Sequence, residues 1–170
     1  MKTQLLIFAL LAGLMTFSLG CNPEREVVKP QTQAAGGGGG GVNEATRMTI
    51  TRIEVLKFPE KAWDNFTFEG ADIYCEVETH LGSTIFSSSK YEDVTPSQLP
   101  KGWNCSIPIT FSLVSDNWKI RLYDYDFLSV DDYMGGFLFD PRGLKLTKLT
   151  SFDLGSSSTD YHFRLTASYQ

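Results

Sequence analysis

Residues 118–136 read WKIRLYDYDFLSVDDYMGG. In the first half Trp118, Ile120 and Leu122 alternate with Lys119, Arg121 and Tyr123, the period-two pattern of a strand with one face in a core. The strand then runs into four aspartates, Asp124, Asp126, Asp131 and Asp132, before the pair Gly135 and Gly136. Asp124 and Asp126 share the parity of the apolar row, so they carry it past the core and into the loop. Two ionised carboxylates at ~5 Å repel by roughly 3 kcal/mol at an effective dielectric of 20, which favours a cation between them. Oxygen ligands of this kind suit calcium.

An EF-hand does not account for the loop. Counting from Asp124, Ser129 stands where that motif needs glycine and Gly135 where it needs a bidentate glutamate. Any further ligands must come from elsewhere in the fold.

The rest of the domain repeats the strand pattern. Candidate strands are 48–58, 73–79, 84–89, 105–113, 118–124, 137–140, 150–154 and 160–168, separated by Gly, Pro, Asn, Asp and Ser. In the last of them Tyr161, Phe163, Leu165 and Ala167 alternate with His162, Arg164 and Thr166. Half-buried strands in this number predict an all-β chain: an eight-stranded antiparallel β-sandwich over residues 48–170. No stretch after Cys21 has a helical period, and residues 90–101 have room for one short turn.

Ahead of the domain, residues 1–20 hold Lys2, an apolar run from Leu5 to Met15 and then small residues, an export signal too short for a membrane span. The Gly20–Cys21 junction resembles a bacterial lipobox, with Ser18 where leucine is usual. That resemblance implies acylation of Cys21 and, with Asn22 next, the outer membrane of a Gram-negative bacterium, on its periplasmic or its outer face. Residues 21–47 read as a lipidated cysteine and a flexible tether, with Pro23, Pro30 and glycine from 36 to 41. As a Gly-rich coil, 26 residues reach about 28 Å r.m.s.. The net charge of −5 argues against nucleic-acid binding, which depends on clustered Lys and Arg.

The aspartate loop resembles the third calcium-binding loop of the C2 domain, the β-sandwich that binds calcium and phospholipid in protein kinase C, synaptotagmin and several phospholipases. The family pattern is D-x-D, five residues, D, then an apolar step to glycine. Asp124, Asp126 and Asp132 fit that spacing, followed by Tyr133, Met134 and Gly135. A second stretch, GADIYCEVE at 70–78, resembles the end of the family's first loop, with Asp72 on the ligand aspartate, Tyr74 on the tyrosine and Ile73 in place of proline. Asp64 is the other first-loop candidate, eight residues before Asp72 where the family has six. The resemblance thus implies a calcium site of Asp64, Asp72, Asp124, Asp126 and Asp132. Strand order, with a full strand left over at the C-terminus, resembles the circularly permuted, phospholipase-like topology.

In the family, apolar loop tips dip into lipid once calcium neutralises the site, a role that would fall to Phe66, Phe68, Phe127 and Leu128; the other reading folds these side chains onto the core. Cys75 and Cys105 have core-facing parity, and both a disulfide and two buried thiols are open readings. Two classes of function follow. One is a calcium-dependent binding module for an anionic membrane surface or a partner protein, its alternative a calcium-independent structural or adhesive sandwich. The other is a carboxylate-based hydrolase, for which the sequence offers no companion His, Ser or Cys constellation and no substrate-groove aromatics arranged around the cluster. The first is expected, with no catalytic residues.

Overall fold

In the computed structural model, which describes residues 27–28, 44–60, 70–114, 117–127 and 130–170, the alternating segments form two packed sheets. The strands are β1 (Val27–Val28), β2 (Arg47–Lys57), β3 (Ala71–Glu78), β4 (Thr84–Ser87), β5 (Tyr91–Val94), β6 (Lys101–Thr110), β7 (Trp118–Asp124), β8 (Asp132–Phe139), β9 (Ser151–Gly155) and β10 (His162–Tyr169). One sheet runs β1-β8-β7-β3-β4, with β5 also paired to β3; the other runs β6-β2-β10-β9. Apart from the parallel pair β1–β8, the pairings are antiparallel. The C-terminal strand β10 is inserted between β2 and β9, the order that a permuted sandwich with its closing strand last calls for.

The core lies between the sheets and is built by the inward rows. On β7, Trp118, Ile120 and Leu122 are buried, and on β10, Phe163, Leu165 and Ala167. Phe137 meets Phe163 edge-on at 6.0 Å between ring centroids, joining the sheets. Side chains the size of Ile120, Leu122, Phe163 and Leu165 contribute about 1.5–3 kcal/mol each on full burial. The short strand β4 is largely exposed and lies at the rim.

Four differences from the expected strands have local causes. The strand expected at 137–140 begins at Asp132, because the glycine pair is part of it and not a turn. A Cβ on Gly136 would lie 2.1 Å from the Ile120 carbonyl oxygen, so only glycine lets β8 lie against β7 there. The strand expected from 105 begins at Lys101 and buries Trp103. Strand β5 falls inside the segment expected to hold a turn, which itself is the 3-10 turn Pro96–Gln98. A 3-10 turn at Pro141–Gly143 leads into the four-residue helix α1 (Leu144–Thr147), too short to show a period.

The N-terminal side also differs. Val27–Val28 pair with Leu138 and Phe139 on β8, and Ala45 is already in the core. Residues 27–28 and 44–47, within the segment read as tether, are thus part of the described structure. The expected signal peptide, Cys21 and the glycine run lie outside the described residues.

Candidate functional site

Asp124 is the last residue of β7 and continues its inward row, so it is buried, at 1% exposure. A buried carboxylate needs donors. Its Oδ1 accepts the backbone N–H of Asp72 at 2.7 Å, and the N–H of Tyr125 donates to the Asp72 carbonyl at 2.8 Å. These two bonds tie the exit of β7 to the entry of β3, where Ile73 pairs with Asp124. On the other side Asp124 pairs with Asp132, the first and exposed residue of β8. Asp126, half-buried, follows in the loop. Asp72, Asp124, Asp126 and Asp132 therefore come together at one end of the sandwich.

Asp72 is held by its own partners. Its Oδ1 accepts the N–H of Asp93 at 3.0 Å and its Oδ2 accepts from Lys90 Nζ at 3.0 Å. Asp93 takes a left-handed backbone conformation, φ +52°, in β5. Gly70 makes this contact possible, since a Cβ there would lie 2.5 Å from the Asp93 carbonyl carbon. Lys90 Nζ also lies 3.2 Å from Glu92 Oε1 and 4.6 Å from the Tyr125 ring centroid. The Asp72 hydrogen bond, then that of Glu92, holds the Lys90 ammonium above the usual lysine range.

Asp131 takes the opposite direction. Its Oδ1 accepts the N–H of Asp126 at 3.2 Å and its Oδ2 accepts the Tyr74 hydroxyl at 2.7 Å. Burial first, then the Asp131 hydrogen bond, pushes the Tyr74 hydroxyl far above its ordinary value. Tyr74 stacks on Tyr123, centroids 5.2 Å apart, and Tyr123 leans on Tyr133 at 5.7 Å.

The donors are hard oxygens, the right kind for calcium. Their convergence is incomplete, because among the described residues no three acidic, His or Cys side chains gather at one cation position. Asp72 faces a lysine and Asp131 a tyrosine. The fit to calcium is one of ligand type.

Of the other expected residues, Asp64, Phe66, Phe68 and Leu128 lie outside the described residues, as does Cys21. Phe127 is 85% exposed at the tip of the loop, joined by Val130 at 88%, which the spacing argument passed over. Cys75 is fully buried and Cys105 half-buried, and both are free thiols. Burial pushes the Cys105 thiol up to about 11 and the Cys75 thiol higher still, with the Cys105 charge adding to the effect on Cys75. The sequence also missed Lys90, which has no pattern of its own, and the bonds that Asp131 makes to the Tyr74 hydroxyl and the Asp126 N–H.

No family model and no curated protein matches this chain. Among solved structures, the chain is similar to human GIVD cytosolic phospholipase A2 in complex with methyl gamma-linolenyl fluorophosphonate inhibitor and terbium chloride, with a TM-score of 0.51 and 17% identity over 75% of this chain and 18% of that one. It is similar to the first of the C2 domains, domain A, of plant Extended Synaptotagmin 1, with a TM-score of 0.50 and 14% identity over 75% of this chain and 96% of that one. It is also similar to the paired C2 domains, A and B, of Extended-Synaptotagmin 2, with a TM-score of 0.50 and 16% identity over 84% of this chain and 49% of that one. The chain thus spans nearly the whole of a single C2 domain and less than a fifth of the phospholipase. The fold is a C2-like β-sandwich.

Proposed function

We propose that the chain is an exported protein, lipid-anchored at Cys21 in the outer membrane of a Gram-negative bacterium. Its C2-like sandwich takes up calcium at the aspartate end and thereby binds an anionic membrane surface or a partner protein. The observation that carries the reading is the hydrogen bond between Asp72 N–H and Asp124 Oδ1, which joins acids 52 residues apart at the end where Asp126, Asp131 and Asp132 emerge. Calcium would take its ligands from Asp72, Asp124, Asp126 and Asp132, with Asp64 as a further candidate. Neutralising these charges would let the exposed Phe127 and Val130 approach a lipid or protein surface. Nothing in the reading calls for catalysis.

Calorimetric titration of the mature chain carrying Cys21→Ser, with calcium and separately with magnesium, tests the metal. Calcium should bind, magnesium should bind far more weakly because its small octahedral shell dehydrates reluctantly, and Asp126→Asn should lose calcium affinity. Co-sedimentation with anionic and with uncharged vesicles, each with calcium or EGTA, tests the target. Cys21→Ser by itself should move the protein from the membrane fraction to the soluble one, and unchanged fractionation would remove the anchor from the reading.

The Lys90–Asp72 pair favours a second reading, a calcium-independent structural or adhesive module whose acid already has its cation. Absence of calcium heat would decide for it.

A further inference from the structure

We propose that Lys90 is a built-in counter-ion for the aspartate end and that calcium uptake works by exchange, expelling the ammonium from Asp72. The inference rests on the calcium reading and names how that site is regulated.

Geometry makes the exchange local. Asp72 has one oxygen on a fixed donor and the other on a movable one: Oδ1 accepts the Asp93 backbone N–H, while Oδ2 accepts from the tip of a lysine. When the lysine leaves, the backbone bond keeps the carboxylate aimed and Oδ2 is released. Asp72 keeps its place next to Asp124 in any case, through its own N–H and carbonyl.

The lysine is suited to leaving. Lysine is a compact charge on a flexible stem, with none of the planar fork by which arginine grips both carboxylate oxygens. The Lys90 side chain is 37% exposed and that of Asp72 25%, so water is at hand for both, and exposed pairs of this kind are weak. Lys90 also has somewhere to go, since Glu92 already lies 3.2 Å from Nζ. Its present station above the Tyr125 ring puts the charge directly over the residue that separates Asp124 from Asp126. A lysine there lowers the repulsion among the aspartates when calcium is scarce and opposes calcium entry through the same charge. The module would therefore respond only above a threshold of calcium that Lys90 sets.

Two arms test this on the mature chain with Cys21→Ser. In the first, Lys90→Met keeps a stem of similar length over Tyr125 and removes the charge. Calorimetry should show calcium binding tighter by roughly tenfold than in the parent, from one like charge removed at close range in a partly aqueous setting, whereas Lys90→Arg should not tighten it. In the second, the parent chain itself is acylated with an amine-reactive ester and the Lys90 peptide is quantified by mass spectrometry. Lys90 should react slowly in EGTA and several-fold faster in saturating calcium. Equal calcium affinity in the parent and Lys90→Met, or labelling that ignores calcium, would overturn the exchange and leave the calcium reading standing. A titration silent in all three proteins would overturn both.

Discussion

Asp153 on β9 and Asp124 on β7 are both acids on antiparallel strands, yet they are satisfied in opposite ways. Asp153 receives a bidentate fork from Arg164 on β10, at 2.8 and 3.0 Å, with His162 Nε2 3.1 Å away. Asp140 is gripped likewise by Arg142. At the aspartate end the donors are mostly amide N–H groups: Asp72 to Asp124, Asp93 to Asp72, Asp126 to Asp131. A guanidinium fork occupies both oxygens and cancels the charge. An amide N–H fixes the direction of a carboxylate while leaving its charge and other lone pairs in place. The first arrangement holds strands together, and the second is the one that suits the proposed uptake of a mobile cation.

The largest effect should come from supplying that cation. If calcium binds the folded chain and not the unfolded one, calcium at one hundred times its Kd should add about 2.7 kcal/mol of stability. For a domain of this size that raises Tm by about 10 °C. Asp153→Asn should show the same increment, and a thermal melt with no calcium response would erase the functional half of the comparison.

Next comes the amide bond itself. Asp124→Ala strands the half-buried Asp72 N–H and should cost about 1–3 kcal/mol in urea denaturation under EGTA. Asp124→Asn keeps an acceptor oxygen and removes one charge from the cluster, so it should cost much less. Equal losses from the two would show that the charge of Asp124, not its acceptor, is what the native fold uses.

The smallest effect belongs to the arginine-held acid. The Arg164 hydrogen bond, with His162 behind it, holds the Asp153 carboxyl below the usual carboxylate range despite partial burial. A group with a lowered folded-state value stabilises fully above its unfolded value and loses that contribution as pH falls through the folded one. Asp153→Asn should therefore cost less than about 1 kcal/mol at neutral pH and nothing once the medium is acid enough to protonate the wild-type carboxyl. A difference that persists in acid would mean that the side chain acts by packing.

Much of this was legible because alternation is a local property. Trp118, Ile120 and Leu122 announce β7, and the same parity announced that Asp124 would turn inward; Phe163 and Leu165 do as much for β10. What was hidden depends on partners far along the chain. Gly135 and Gly136 look like a turn until Tyr161 and the Ile120 carbonyl are seen to fill the space where side chains would stand. Strand β5 has exposed Glu92 and Asp93, the latter in a left-handed conformation, so it shows no pleat pattern. Asp131 and Asp132 are adjacent, and spacing alone could not tell that the first turns to Tyr74. Nothing in the neighbourhood of Lys90 announces Asp72, eighteen residues away.

The parallel pair β1–β8 changes what an anchor at Cys21 would do. The 26-residue coil read from composition would let the domain wander, but with Val27 paired to Leu138 only residues 22–26 would lie between an acylated cysteine and the sheet. Fully extended, that span is about 20 Å, and the aspartate end lies about another 20 Å along β8. Such a short leash would confine the loops to a small volume beside the membrane that holds the anchor, where the effective concentration of that surface would be on the order of millimolar. With an anchor at Cys21, an interaction far too weak to recruit a free domain would be occupied most of the time.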